Sequence, residues 1–327
     1  VFTDTPRADA YRGARALVFG ATGFIGQWVA RALAGRGTQA TLVARVAAQA
    51  EPLRYELGRD TQVWDCDVTD DARVAEILRA IRPHITFNLA GYGVDRAERD
   101  ETQARRINSR FLAVLCENVA AHRDASWRGQ ALVHAGTQLE YGPIGGILQE
   151  EATPAPTTMY GRTKLEGTQA LARCAAARRL PAVTARLFTI YGPGEHAGRL
   201  LPSLIEAARQ HVPIGLTAGT QKTDFTYVED VAEGLLRLGL ATVPAGAVVN
   251  LATARLTSIR AFAEQAAMLL QLPMDRLRFG VLPERPETLR YNAVSVARLH
   301  ELTGWLPSTD VGDGIRRTIE QTLGMDA

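Results

Sequence analysis

Tyr160 and Lys164 stand four residues apart at the head of an alanine-rich stretch that reads as a helix. That spacing puts a phenol and an ammonium on one helix face, where the cation favours the phenolate and lowers the tyrosine pKa from its ordinary value of about 10. A tyrosine so placed trades a proton at neutral pH, as interconversion of a carbonyl and an alcohol requires. Upstream, Gly20-Ala21-Thr22-Gly23-Phe24-Ile25-Gly26 follows the apolar run Ala16–Phe19 and opens another helical stretch. Glycines between a strand and a helix offer a tight turn, close backbone approach to a pyrophosphate, and free N-terminal amides aimed at negative charge. Together the two features predict hydride chemistry with a bound dinucleotide.

A β-α-β unit carries the glycine loop: the strand Ala16–Phe19, a helix to about Gly35, and a strand Ala40–Ala44. The alternation continues with a strand near Gln62–Cys66, a helix Asp70–Ile81, a strand Ile85–Ala90 and a long helix from about Glu98 to His122. A strand Ala131–Ala135, a helix from about Tyr160 to Arg179 and a strand Val183–Thr189 follow. This order predicts an α/β fold, a Rossmann-type doubly wound parallel sheet covered on both faces. From Tyr191 onward prolines and glycines shorten the elements. Helices Leu200–His211, Val228–Leu240 and Ser258–Leu270, a strand Val248–Ala252, and helical patches Val294–Thr303 and Asp313–Leu323 predict a smaller C-terminal substrate-binding lobe. The expected division is a dinucleotide-binding domain over 13–190, with segments around 225–255 returning to it, and a lobe over 191–327.

The 327 residues carry 37 Lys and Arg against 35 Asp and Glu, a net charge of +2 too small to argue for nucleic acid or an anionic membrane as partner. No uncharged apolar run is long enough to span a bilayer, and the leader lacks a hydrophobic signal core, so a soluble cytoplasmic protein is expected. Cys66, Cys116 and Cys174 are widely spaced and predict reduced thiols with no disulfide and no metal site. At the end of the second strand, where an NAD site places an acid on the ribose 2′-hydroxyl, stand Ala44 and Arg45. Arg45 can donate to a 2′-phosphate, which favours NADP(H), with NAD the alternative. Asp67 and Val68 close the third strand, where a carboxylate and the following amide can reach adenine or can equally belong to the N-cap region of the next helix.

In chain order, GATGFIG at 20–26, Asp67-Val68, Asn88-Leu89-Ala90, Asn108, Thr137 with Tyr141-Gly142, Tyr160-Gly161-Arg162-Thr163-Lys164, Arg186 to Gly194, Asp224-Phe225-Thr226-Tyr227 and Thr303 to Pro307 resemble the extended short-chain dehydrogenase/reductase family of nucleotide-sugar epimerases, dehydratases and reductases. The resemblance covers Arg15 to about Glu320. It implies Tyr160 as acid/base, Lys164 on the nicotinamide ribose, Thr137 on the reacting sugar oxygen, and an architectural or relay role for Asn108. It further implies that Leu89, Ala90, Tyr92 and Phe188 line the cofactor, and that a nucleotide-diphosphate sugar lies against Gln138, Thr189, Leu201, Lys222, Arg285 and Arg290. A homodimer built from the helices of 98–122 and 160–179, with Ala170, Ala172, Ala175 and Ala176 permitting close approach, is also implied.

Dehydratase relatives place Asp-Glu directly after the catalytic threonine, whereas Gln138-Leu139 follow Thr137 here and Glu140 comes one residue later. The expectation is therefore NADPH-dependent reduction of the 4-keto group of a nucleotide-activated, 6-deoxy sugar, with pro-S hydride transfer by family similarity. The alternatives are an epimerase holding NAD tightly and a non-catalytic NADP-binding protein of the same fold.

Overall fold

The computed structural model describes residues 9–58, 61–95, 97–284 and 289–324. Strands β1 (Arg15–Phe19), β2 (Gln39–Ala44), β3 (Gln62–Asp65), β4 (Ile85–Asn88) and β5 (Leu132–Thr137) alternate with helices α1 (Phe24–Ala34), α2 (Glu51–Leu57), α3 (Asp71–Ile81), α4 (Glu101–Arg105) and α5 (Phe111–His122). With β7 (Ala182–Leu187) and β11 (Ala247–Leu251) these strands make a seven-stranded sheet in the order β11-β7-β5-β4-β1-β2-β3, parallel at every pairing. The chain order reverses beside β1, at the carboxyl ends of whose neighbours a ligand crevice forms in doubly wound sheets.

Alternation within β1 explains the two covered faces. Ala16 and Val18 join the core under α1 and α8 (Val228–Leu240), while Leu17 and Phe19 join the core under α3, α5 and α6 (Met159–Arg178). Burial on both faces is why β4, β5 and β7 hold no exposed residue. Side-chain caps mark the helix starts: Asp70 accepts from Arg73 N, Asp100 from Gln103 N and Thr158 from Gly161 N. Ala175, expected on an outward face, instead packs in the core with Leu112, Leu115 and Val119 of α5.

Two expectations change, and one segment without a predicted element gains structure. The segment 47–57, which carries no clear periodicity, forms a short turn and α2 started by Pro52. The single helix expected over about 98–122 is interrupted by a π-helical turn at Arg106–Arg110 between α4 and α5. The strand expected over Val183–Thr189 breaks at Phe188, and β8 (Thr189–Tyr191) leaves the main sheet to pair with β10 (Lys222–Tyr227).

That second sheet, β12-β10-β8 with β12 at Leu256–Ser258, bears a separate apolar core against α7 (Leu200–Gln210), α9 (Ile259–Leu269) and α11 (Val311–Leu323). The rings of Phe225 and Phe262 stack at 4.1 Å in its middle. Buried Asp224 ties the lobe to the main sheet by accepting from Thr226 Oγ1, Thr253 N and Thr253 Oγ1. The remaining elements are small: β6 (Ile147–Leu148) with β14 (Ala293–Val294), β9 (Ile214–Gly215) with β13 (Leu277–Arg278), and α10 (Ala297–Thr303). No helix among the described residues is long and apolar enough to cross a membrane.

Candidate active site

Helix α6 begins where Thr158 caps it, and its first turns bring half-buried Tyr160 and buried Lys164 to the carboxyl ends of β4 and β5. Thr137 ends β5 and is buried at 8% exposure. Its Oγ1 accepts from Leu139 N at 3.3 Å, which leaves the hydroxyl proton free to donate.

The electrostatics differ from the sequence expectation. Enclosure raises the Tyr160 phenol above its ordinary value, with Glu140 adding to the rise, Arg199 opposing it and Glu98 adding again. Burial also pushes the Lys164 pKa down, to about 8, against the pull of Glu140. A phenol raised in this way is protonated in its resting state.

Glu140 does not face outward as a spare acid. It is wholly buried, its Oε1 accepts from Thr137 N at 2.9 Å, and its Oε2 accepts from Arg186 Nε at 3.1 Å. The Arg186 guanidinium also stacks on the Tyr141 ring at 4.4 Å. Gly136 makes room for this pair, since a Cβ there would lie 2.7 Å from Glu140 Oε1. Glu140 thus fixes the backbone that carries Thr137, and no carboxylate follows the threonine into the cleft.

The glycine loop fits a dinucleotide. Gly20 adopts φ +75°, a region open to glycine, and a Cβ on it would approach Ala90 N to 2.7 Å. A Cβ on Gly26 would lie 2.0 Å from Gly20 O, so only hydrogen allows α1 to close on the loop. Helix α1 starts at Phe24 with no side-chain cap. Its first amides are therefore left for an anion. Thr22 is partly exposed beside them, and Ile25 turns toward the core under α1. Gly26→Ala is expected to weaken NADPH binding at least about tenfold, or about 1.4 kcal/mol, read by fluorescence titration; unchanged affinity would contradict the cradle.

Arg45 is exposed at the end of β2, next to buried Ala44. The Asp67 carboxyl is held below the usual range by hydrogen bonds from Thr69 and, after them, by Arg106 and Arg45. Arg106, in the π-helical turn, is thus a second cation at this edge that motif reading passed over. Partly exposed Val68 follows Asp67. Leu89, Ala90 and Tyr92 leave β4 half-exposed on the other side of the loop.

Asn108 is spent on that last segment. Its Oδ1 accepts from Tyr92 N at 3.0 Å, and its Nδ2 donates to Tyr92 O at 2.8 Å and to Thr163 Oγ1 at 2.9 Å. With its oxygen and both amide protons engaged, the side chain clamps the loop to α6 and has no proton to give to a substrate.

Facing Thr137, side chains from distant parts of the chain close a hydrogen-bonded ring. Gln138 Nε2 donates to Thr189 Oγ1 at 3.3 Å, the Thr189 and Thr223 hydroxyls lie 2.8 Å apart, the Thr223 and Tyr291 hydroxyls 2.9 Å apart, and Tyr291 Oη donates to Gln138 Oε1 at 3.0 Å. Because Gln138 Oε1 can only accept, the single proton of Tyr291 Oη goes to it, with Asp224 N donating to the same phenol oxygen, and the ring runs in one direction. Gln138 thereby keeps one amide proton for another acceptor. Thr223 and Tyr291 were not among the residues expected to touch substrate, since only the tertiary fold joins them to Gln138 and Thr189.

Other expected contacts are not brought there. Leu201 is 1% exposed in the core of the C-terminal lobe, because it lies on the inward face of α7 with Leu204 and Ile205. Phe188 is buried edge-on against Tyr291 at 6.2 Å, so its ring is packing behind the polar ring rather than an open face for a cofactor. Arg290 is exposed and paired with Glu284 at 2.6 Å. Lys222 is exposed at the start of β10. Arg285 lies outside the described residues.

The model of the NAD dependent epimerase/dehydratase family matches residues 16–252, most of the chain. The protein belongs to this family. Among curated relatives of this family member, dTDP-6-deoxy-L-talose 4-dehydrogenase (NAD(P)(+)) of Kitasatospora kifunensis is 27% identical over 93% of this chain and 94% of the relative. GDP-6-deoxy-D-mannose reductase of Pseudomonas aeruginosa is 27% identical over 92% and 95%. A probable dTDP-4,6-dihydroxy-2-methyloxan-3-one 4-ketoreductase of Streptomyces antibioticus is 30% identical over 69% and 67%. Among solved structures, MoeE5 in complex with UDP-glucuronic acid and NAD superposes with a TM-score of 0.80 at 25% identity, over 95% of this chain and 99% of that one. UDP-glucose 4-epimerase of Thermotoga maritima gives 0.82 at 20% identity over 95% and 99%, a likeness of fold. The family member is thus an NAD(P)-dependent enzyme type of the extended short-chain dehydrogenase/reductase group, as the ordered motifs imply.

Proposed function

We propose that the chain reduces the 4-keto group of a nucleotide-activated 6-deoxy sugar at the expense of NADPH. The observation that carries this reading is Arg45, exposed at the end of β2 with alanine in place of the acid before it, which suits a 2′-phosphate and an exchangeable cofactor. Locking of Glu140 onto Arg186 supports it, because it withholds this carboxylate from the acid–base work that elimination of water needs. One relative named as a probable 4-ketoreductase and one named as a GDP-6-deoxy-D-mannose reductase point the same way.

When bound, the cofactor supplies hydride to the sugar carbonyl carbon. Gly20, Gly23, Phe24 and Gly26 would hold its pyrophosphate, Arg45 its 2′-phosphate, and Asp67 with Val68 its adenine. Tyr160 donates its phenolic proton to the oxygen as negative charge develops there, and the free Thr137 hydroxyl proton holds the same oxygen. Lys164, as an ammonium, stabilises the tyrosinate left behind. Asn108 positions the wall of the cleft through Tyr92. Gln138, its amide oriented by Tyr291 and Thr189, offers its remaining proton to a sugar hydroxyl.

The test is NADPH consumption with a panel of 4-keto-6-deoxy sugar nucleotides differing in base. Turnover of at least one, with one product per NADPH oxidised, is expected; interconversion of C4 epimers without added cofactor, and no net consumption, would replace reduction by epimerisation. Arg45→Ala is expected to raise KM for NADPH about tenfold or more, the worth of a charge-assisted hydrogen bond, and to leave KM for NADH unchanged. Equal effects on both cofactors would remove Arg45 from the 2′-phosphate.

A further inference from the structure

Asn88, His134 and Lys164 form a buried chain between the sheet and α6 that the proposed reaction leaves unexplained. Asn88 and His134 are register neighbours on β4 and β5, each 1% exposed, and Lys164 is 2% exposed. Asn88 Nδ2 lies 3.2 Å from His134 Nδ1, and Lys164 Nζ lies 3.3 Å from His134 Nε2. Burial and then the adjacent Lys164 hold the His134 pKa well below its ordinary value, so the imidazole is neutral. A neutral imidazole has one N–H and one lone pair, and which nitrogen carries the proton follows from its partners.

Asn88 decides the matter. Its Oδ1 accepts from Ala90 N at 3.2 Å, so its Nδ2 is the atom that faces the ring and donates to Nδ1. In that arrangement the ring proton sits on Nε2 and points at Lys164 Nζ. Against an ammonium that arrangement opposes donor to donor; against a neutral amine it completes a hydrogen bond.

We propose that His134 is a positioning residue for the reaction: its tautomer, coupled to the orientation of the Asn88 amide, opposes or accepts the Lys164 ammonium and so sets the pH range over which that charge supports Tyr160. Uptake of one proton at Nζ requires the imidazole proton to move from Nε2 to Nδ1, and the Asn88 amide to turn over to accept it. That turn forfeits the bond from Ala90 N, the same backbone nitrogen that a Cβ on Gly20 would crowd. The protonation state of Lys164 is in this way tied to the wall of the cofactor loop.

The charged and titratable groups around Lys164 are Glu140 from the turn after β5, Arg186 of β7 through its pair with Glu140, Tyr160 on its own helix, and His134 itself. Glu140 favours the ammonium, whereas burial disfavours it and prevails, leaving a midpoint at about 8. Below that pH the ammonium is present and serves proton donation by Tyr160; as pH rises through it, the support is lost and reduction slows. Only this consequence rests on the proposed reaction.

Lys164 and Lys222 are the two lysines of the chain, and there are six histidines. Selective ¹³C labelling of lysine therefore gives two side-chain signals, assigned with Lys222→Arg, and ¹⁵N-histidine labelling reports the His134 tautomer in the wild-type protein. The proposal expects His134 protonated on Nε2 above the Lys164 midpoint and on Nδ1 below it. In His134→Gln, whose amide can present its oxygen to the ammonium, the Lys164 midpoint is expected to rise by about one pH unit, the worth of one hydrogen bond. An Nδ1-protonated imidazole on both sides of the midpoint overturns the proposal, as does an unchanged midpoint in the variant. Both readouts address Lys164 directly, so they stand or fall apart from whether the substrate is a 4-keto sugar; if the variant does not fold, the wild-type tautomer still decides.

Discussion

Tyr160→Phe is expected to lower kcat for carbonyl reduction by about 10²–10⁴-fold, the range for removing a positioned general acid, while the Kd for NADPH changes less than about twofold. The phenyl ring keeps the half-buried packing of Tyr160 at the start of α6, and α6 keeps its cap at Thr158. Only the proton is removed. Enclosure that raises the phenol also makes it the right form for donation, since it stays protonated through neutral pH. Stopped-flow measurement of the hydride step, with cofactor affinity by fluorescence, separates the outcomes: an undiminished hydride step would take the proton donor away from Tyr160, and a parallel loss of affinity would make the residue part of cofactor binding.

The second large effect concerns stability. Glu140→Leu is expected to destabilise the fold by about 3–5 kcal/mol, because it leaves the Arg186 guanidinium buried without its counter-charge. Arg186 is 3% exposed, and its Nη1 already has no hydrogen-bond partner among the described residues. The substitution also removes the acceptor of Thr137 N, so residual folded enzyme should show a lower kcat. Urea unfolding measures the first effect. The double variant Glu140→Leu/Arg186→Met should recover part of the loss, since replacing both charges removes the uncompensated one. Equal unfolding midpoints for wild type and Glu140→Leu would show that the pair does not hold this turn.

Much of the sheet was legible because its central strands are buried on both faces and carry apolar runs, as in Leu132-Val133 and Ala182-Val183. The helix Val228–Leu240 appears with the bounds read from its apolar periodicity. Interruptions were less visible. The π-helical turn around Asn108 accompanies a side chain reaching across to Tyr92 and Thr163, contacts 16 and 55 residues away in sequence. The break at Phe188 likewise depends on β8 finding β10 in another sheet.

In the site, local order carried the reading of Tyr160, Lys164, Thr137 and the glycine loop, because each sits at a strand end or helix start that sequence marks. Residues chosen for charge or hydrophobicity alone fared differently. Arg290 is occupied by Glu284, and Leu201 faces inward, distinctions that composition does not encode. Tyr291 and Thr223 enter only through a ring closed by four separate segments. Lys164 shows the same limit in electrostatics: its spacing from Tyr160 suggested a cation, but its burial and its meeting with His134 decide how much charge it carries.

Transfer of label from deuterated NADPH to 4-keto-6-deoxy sugar nucleotides differing in base, followed by mass spectrometry of the product, tests the central claim most directly. The account predicts one deuterium at C4 of the product for each cofactor oxidised, with transfer lost in Tyr160→Phe. Unlabelled C4 epimers formed with no oxidation of the added NADPH would contradict it.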